Sequence, residues 1–186
     1  MSRLHDNLPS MTRVELNNLA KNKYCDDEIQ VWIASHAHVQ ARYYLADNPS
    51  ICSDAVEKLL RGRSRIIKGL LVGQGAVEDP NIIRDIYSQL RFKVDQWRVS
   101  NFFVRNYWGA RCTTHTPSDV LDRIHEDYLE VHDEKAYRYY RRNLQKNLAA
   151  HPNCSLKLAI RLSQDEDSEV QKAGFDALVR INARKD

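Results

Sequence analysis

Cys112-x-x-His115, followed by His125 and His132, is a run whose residue types could hold a metal ion, because one thiolate and three imidazoles can complete a tetrahedral zinc shell. The spacing matches no common zinc module, and His125 and His132 fall on either side of an expected helix end. No metal and no other cofactor is therefore expected. The carboxylates Asp119, Asp122, Glu126, Asp127, Glu130, Asp133 and Glu134 could supply acid–base pairs. Catalysis would need one of them desolvated to shift its pKa, and their crowding along one helix reads as a solvated acidic face. Gly-x-Ser-x-Gly, a phosphate-cradling glycine loop and a His-Glu-x-x-His pair are all absent. Gly73-Gln74-Gly75 reads as a helix C-cap and turn. No catalytic residue is nominated, and a non-enzymatic role is the expectation.

Basic and aromatic residues form a more suggestive pattern. Arg61, Arg63, Arg65 and Lys68 make a first cluster almost free of acid. A second runs from Arg91 and Lys93 through Arg98, Arg105, Tyr107 and Trp108 to Arg111, and a third holds Tyr137, Arg138, Arg141 and Arg142 with Lys146. Tyr, Trp and Arg dominate binding energy when they are desolvated at interfaces, so the eleven residues from Arg91 to Arg142 named in the second and third clusters, Lys146 aside, are the partner-binding candidates. The same side chains could neutralise phosphates and stack on bases. The net charge of +3 is too small to require nucleic acid. Acidic blocks at 119–134 and 165–167 alternate with the basic ones, and patches of both signs suit steering toward a protein. A protein partner is the expectation, with nucleic acid as the alternative.

The elements that must carry these residues are set by a repeated phrase. Leu45-Ala46-Asp47-Asn48-Pro49 returns as Leu148-Ala149-Ala150-His151-Pro152, with a weaker copy at Leu19-Ala20-Lys21-Asn22 and a degenerate one at Leu71-Val72-Gly73-Gln74. Such a period implies stacked helical units, because one short hairpin cannot bury its apolar face alone. Capping residues and i, i+3, i+4 apolar spacing predict helices near 12–22, 27–35, 37–46, 53–61, 64–73, 80–90, 93–108, 117–130, 134–149, 154–163 and 167–182. Thr12 with Glu15, Ser53, Asp79-Pro80, Thr116-Pro117 and Asp133 are the expected starts. No segment alternates as a strand would.

The phrase, with Leu156 to Ser163 and the acidic turn before Val170, resembles the variant leucine-rich repeat, and HEAT-type repeats look similar. The resemblance implies an all-α, right-handed α-solenoid of about five or six irregular two-helix repeats, and no particular chemistry. One founding type of that repeat carries an iron–sulfur cluster on closely spaced cysteines, which this chain lacks. Cys25, Cys52 and Cys154 instead follow the phrase, where buried reduced thiols are expected. One domain over 10–183 is expected, with flexible ends at 1–9 and 184–186. No apolar run approaches the roughly 20 residues that span a bilayer, and the first residues lack a signal-peptide core, so a cytoplasmic protein without membrane contact is expected.

Overall fold

A computed structural model describes residues 5–91, 114–129 and 138–184. Among the described residues the chain is all-helical and has no strand. A 3-10 helix at His5–Ser10 precedes α1 (Arg13–Lys21), α2 (Asp27–His36), α3 (Val39–Ala46), α4 (Ser53–Arg61) and α5 (Arg65–Gly73). Then come α6 (Pro80–Arg91), α7 (Ser118–Leu129), α8 (Arg138–Ala150), α9 (Leu156–Leu162) and α10 (Ser168–Asn182). The helix expected over 93–108 and the expected start at Asp133 lie outside the described residues. No described helix is long and apolar enough to cross a membrane.

Side-chain oxygens start most of these helices by accepting from first-turn amides that have no carbonyl partner. Thr12 and Glu15 form the expected capping box, with the Thr12 amide donating to Glu15 Oε2 at 2.7 Å. Asp26, Ser64, Ser155 and Asp167 cap α2, α5, α9 and α10. Two starts shift by one residue. Ser53 is already helical, with Cys52 at the cap position making no capping side-chain bond, and α7 begins after Pro117 and not on it. Contacts reach described residues within the segments expected to be flexible. Leu8 is fully buried, and Arg184 donates to the Pro152 carbonyl at 2.7 Å.

The repeated phrase has one local geometry at three places. The side chain at its fourth position accepts from the amide two residues on: Asn22 Oδ1 from Tyr24, Asn48 Oδ1 from Ser50, and His151 Nδ1 from Asn153, each at 3.0 Å. That acceptor is what Asn and His have in common, and it folds the chain sharply after the helix. Asn48 also reaches across to the preceding turn. Its buried Nδ2 donates to Ala20 O at 2.9 Å and Asn22 O at 3.0 Å, closing carbonyls that the end of α1 leaves without a helical partner. At the other end Arg180 serves the same two phrase positions, donating to Ala149 O at 2.6 Å and His151 O at 3.2 Å.

The degenerate copy breaks this relay. Gln74 stands at the register of Asn48, but its buried amide atoms have no hydrogen-bond partner. Here α5 ends on its own backbone. Gly75 at φ 86° lets Gly75 N reach Val72 O at 2.9 Å and Ala76 N reach Leu71 O at 3.0 Å.

Helices one removed in sequence lie side by side: α1 on α3, α3 on α5, α2 on α4, and α8 on α10. The apolar face read from the sequence of α6 is buried at Ile83, Ile86, Tyr87 and Leu90, while Ile82 is exposed. The tightest approach is α10 against the end of α9. A Cβ on Gly174 would sit 2.2 Å from Ser163 N and 2.5 Å from the Leu162 carbonyl carbon. Backbone cannot yield as a flexible side chain would. Gly174→Ala should therefore lower stability by about 1–3 kcal/mol, although alanine favours a helix by up to about 1 kcal/mol. Urea unfolding checks this, and a neutral or stabilising result would mean that α10 can move away from α9 without loss.

Candidate functional site

Helix α7 carries the carboxylates that the sequence suggested form a solvated acidic face, and the structure corrects that reading. Asp119 and Asp127 turn toward α6, where Arg84 Nε donates to both Asp119 oxygens at 3.1 Å and the Tyr87 hydroxyl donates to buried Asp127 at 2.5 Å. Asp122 and Glu126, four apart and so on a common face, turn toward α9. Ser155 Oγ donates to Asp122 at 2.7 Å, and Arg161 donates to Glu126 at 2.9 Å. The Arg84 hydrogen bonds hold the Asp119 carboxyl below its ordinary value, and Arg161 does the same for Glu126. All four carboxylates act as structural acceptors, and the two held by arginine, Asp119 and Glu126, are stabilised as anions, which suits that pair poorly to proton transfer near neutrality. Glu130, Asp133 and Glu134 lie outside the described residues.

The basic block of α8 meets the acidic turn ahead of α10. Arg142 Nε donates to Asp167 at 2.6 Å and its other arm to Glu169 at 2.9 Å, while Lys146 reaches Glu169 at 2.6 Å. Arg141 bonds Gln145 at 3.3 Å and Asp165 at 3.4 Å, and buried Gln145 donates to the same Asp165 oxygen at 2.9 Å. Asp167 thus does two jobs, one oxygen starting α10 and the other holding Arg142. Single exposed pairs of this kind contribute roughly 0–1 kcal/mol, and it is the shared network that aligns α8 with α10.

Of the nominated partner-binding residues, Arg141 and Arg142 are therefore brought together, but against the chain's own acids. Arg138 opens α8 and Arg91 closes α6. Lys93, Arg98, Arg105, Tyr107, Trp108, Arg111 and Tyr137 lie outside the described residues. The two charge patches that the sequence presented as separate, the basic helix and the acidic turn, meet and neutralise each other.

The candidate nucleophiles and ligands are equally constrained. Burial pushes the Cys25 and Cys154 thiols up to about 11, so at neutral pH both are thiols and not thiolates. Among the described residues no three His, Cys, Asp or Glu side chains converge on a metal position. His115 lies 4.0 Å from Glu78, whereas His125 is buried in α7; Cys112 and His132 lie outside the described residues.

The concave feature that sequence reasoning missed is a groove of about 450 Å³ between α2 and α4. Asp27, Glu28 and Asp54 line it from the first turns of the two helices, with Val31, Trp32, Ser35 and His36 along α2. The Trp32 and His36 rings stack at 5.4 Å with an interplanar angle of 29°. A signal for it was present: Asp27 and Asp54 are separated by the same 27 residues as Cys25 and Cys52. Side-by-side packing of α2 and α4 brings such register mates to one surface. Buried Gln30 supports the arrangement by donating to Cys25 O at 2.8 Å and accepting from Cys52 N at 2.9 Å.

Compared with family models, curated proteins and solved structures, the chain finds no match.

His125 gives this region a pH dependence. Its Nδ1 is buried without a hydrogen bond, and burial, reinforced by Arg161 and Arg141, holds its pKa below 6.5 against the weaker opposing pull of Asp165 and Glu126. The unfolded chain, with this group near 6.5, takes up the proton first. Stability is then complete above about pH 6.5 and declines as the pH falls from there toward the folded-state value. His125→Leu should flatten the dependence of the urea midpoint on pH between about 7.5 and 5.5, and an unchanged slope would contradict the assignment.

Proposed function

We propose that the chain is a right-handed α-solenoid of five or six irregular two-helix repeats, of the variant leucine-rich or HEAT-like kind, that serves as a non-catalytic protein-binding module. The side-by-side order of its helices and the turn-to-turn donation by Asn48 and Arg180 support the repeat reading. The observation that carries the binding reading is the internal neutralisation of α8. Arg141, Arg142 and Lys146, which a phosphate backbone would need, already hold Asp165, Asp167 and Glu169. Breaking those pairs to engage nucleic acid would expose three carboxylates to the same polyanion. The acidic groove on α2 and α4 also opposes a polyanion and favours a protein of complementary charge. The role read here is that of an adaptor, inhibitor or immunity-type protein in the cytoplasm, and free thiols at Cys25, Cys52 and Cys154 suit a reducing compartment.

Affinity capture of the tagged full chain from its native lysate, with and without nuclease, tests the proposal. One stoichiometric protein that survives nuclease and moderate salt is the expected result. Recovery of nucleic acid, with any protein lost on digestion and binding falling steeply with salt, would overturn it in favour of a basic nucleic-acid face.

A further inference from the structure

Asp119 and Glu126 of α7 and Asp165 and Asp167 of the turn before α10 are matched by cations of the same chain, whereas Asp27 and Asp54 of the α2–α4 groove are differently placed. Asp27 and Asp54 are exposed and make no ion pair among the described residues. They occupy register-equivalent positions in the first turns of two adjacent helices, so two like charges face one concavity. Trp32, partly buried against the core and therefore fixed, supplies an aromatic wall, and Val31 an aliphatic one. Exposed carboxylates beside a fixed aromatic face and a short apolar strip form a receptor for a flat organic cation on a methylene stem. A bare metal ion would find no use for the tryptophan, and a phosphate would be repelled.

We infer that this groove binds an arginine-bearing extended segment of a partner protein, with guanidinium groups on Asp27 and Asp54 and one of them stacked on Trp32. The inference rests on the protein-binding reading and gives it a partner chemistry. Arginine is favoured over lysine because a planar guanidinium can pair with a carboxylate through two parallel N–H bonds and stack on indole at once. The spacing favours alternate residues. Packed helices lie roughly 8–10 Å apart, and alternate side chains of an extended chain repeat about every 6.6 Å, so an Arg-x-Arg segment sets one cation toward each helix. The open form of the groove suits a side chain presented by a macromolecule better than an enclosed small molecule.

The test is an NMR titration of the isotope-labelled full chain with acetyl-Gly-Arg-Gly-Arg-Gly-amide. Expected are saturable shifts of the Trp32 indole and of amides in α2 and the first turn of α4, weaker binding of the lysine analogue, and none of the glutamate analogue. Asp27→Asn with Asp54→Asn should weaken the arginine peptide at least tenfold. Both positions are exposed, and an unchanged circular dichroism spectrum verifies the fold of the variant. No saturable shift at millimolar peptide, or equal affinity in the double variant, would overturn the inference. So would movement of the same signals with protein concentration alone, which would place a second copy in the groove. Failure here is separable from failure of the binding-module reading. A nuclease-resistant partner retained undiminished by the double variant would sink the groove and leave the module standing, whereas capture of nucleic acid would sink the module whatever the peptide does.

Discussion

Every helix ends with carbonyls that have no amide to meet, and where that end is buried another group must supply the donor. This chain meets that requirement partly within the turn, where Cys25 N donates to Asn22 O and Cys154 N to His151 O, and partly from outside it. The amide of Asn48 closes Ala20 and Asn22, 28 and 26 residues earlier, and the guanidinium of Arg180 closes Ala149 and His151, 31 and 29 residues earlier. The turns at 19–22 and 148–151 are thus each bridged by a side chain from a later unit. The side-by-side packing of α1 with α3 and of α8 with α10 follows from that dependence as much as from apolar burial, because the bridging side chain reaches only when the neighbour is in place. Gln74 makes no such bond to the turn before it, and α5 itself ends on a glycine with positive φ.

A second layer of order is electrostatic. Helix α7 is held to both α6 and α9 by the carboxylates of one acidic sequence, and α8 is held to α10 by the acidic turn between α9 and α10. None of these exposed pairs is strong alone, but their geometry uses the charges that would otherwise attract an anionic polymer. One surface open to a partner among the described residues of the first half is the acidic and aromatic groove of α2 and α4. A basic surface in the sequence and an acidic groove in the structure are compatible for this reason: Arg141, Arg142 and Lys146 of α8 pair with acids of their own chain.

The helices were legible because their evidence is local. Capping oxygens, the apolar stripe of α6 and the Leu-Ala-x-Asn/His-Pro phrase each act over a few residues, and the structure places helices close to the predicted bounds. The phrase marked the turns, but not why position four must be Asn or His. That reason divides into a local part, the acceptor for the amide two residues on, and a long-range part, the Asn48 donor, which depends on a neighbour that sequence order does not display. The same limit applies to Arg141 and Arg142. Their interleaving with aromatics looked like a recognition surface, and only the fold shows Asp165, Asp167 and Glu169 across from them. The groove was hidden in plain register, since Asp27 and Asp54 gain meaning only once α2 and α4 are neighbours.

Hydrogen exchange of the Asn48→Ala chain tests the central dependence most directly. The substitution removes both the local acceptor and the long-range donor, so faster exchange at Ser50 is expected under any account. If turns are completed by the next unit, the amides of Asn22 and Cys25, two dozen residues away, lose protection as well. Unchanged exchange at Asn22 and Cys25, with the effect confined to the turn around residue 48, would show that each turn stands on its own and would contradict the account.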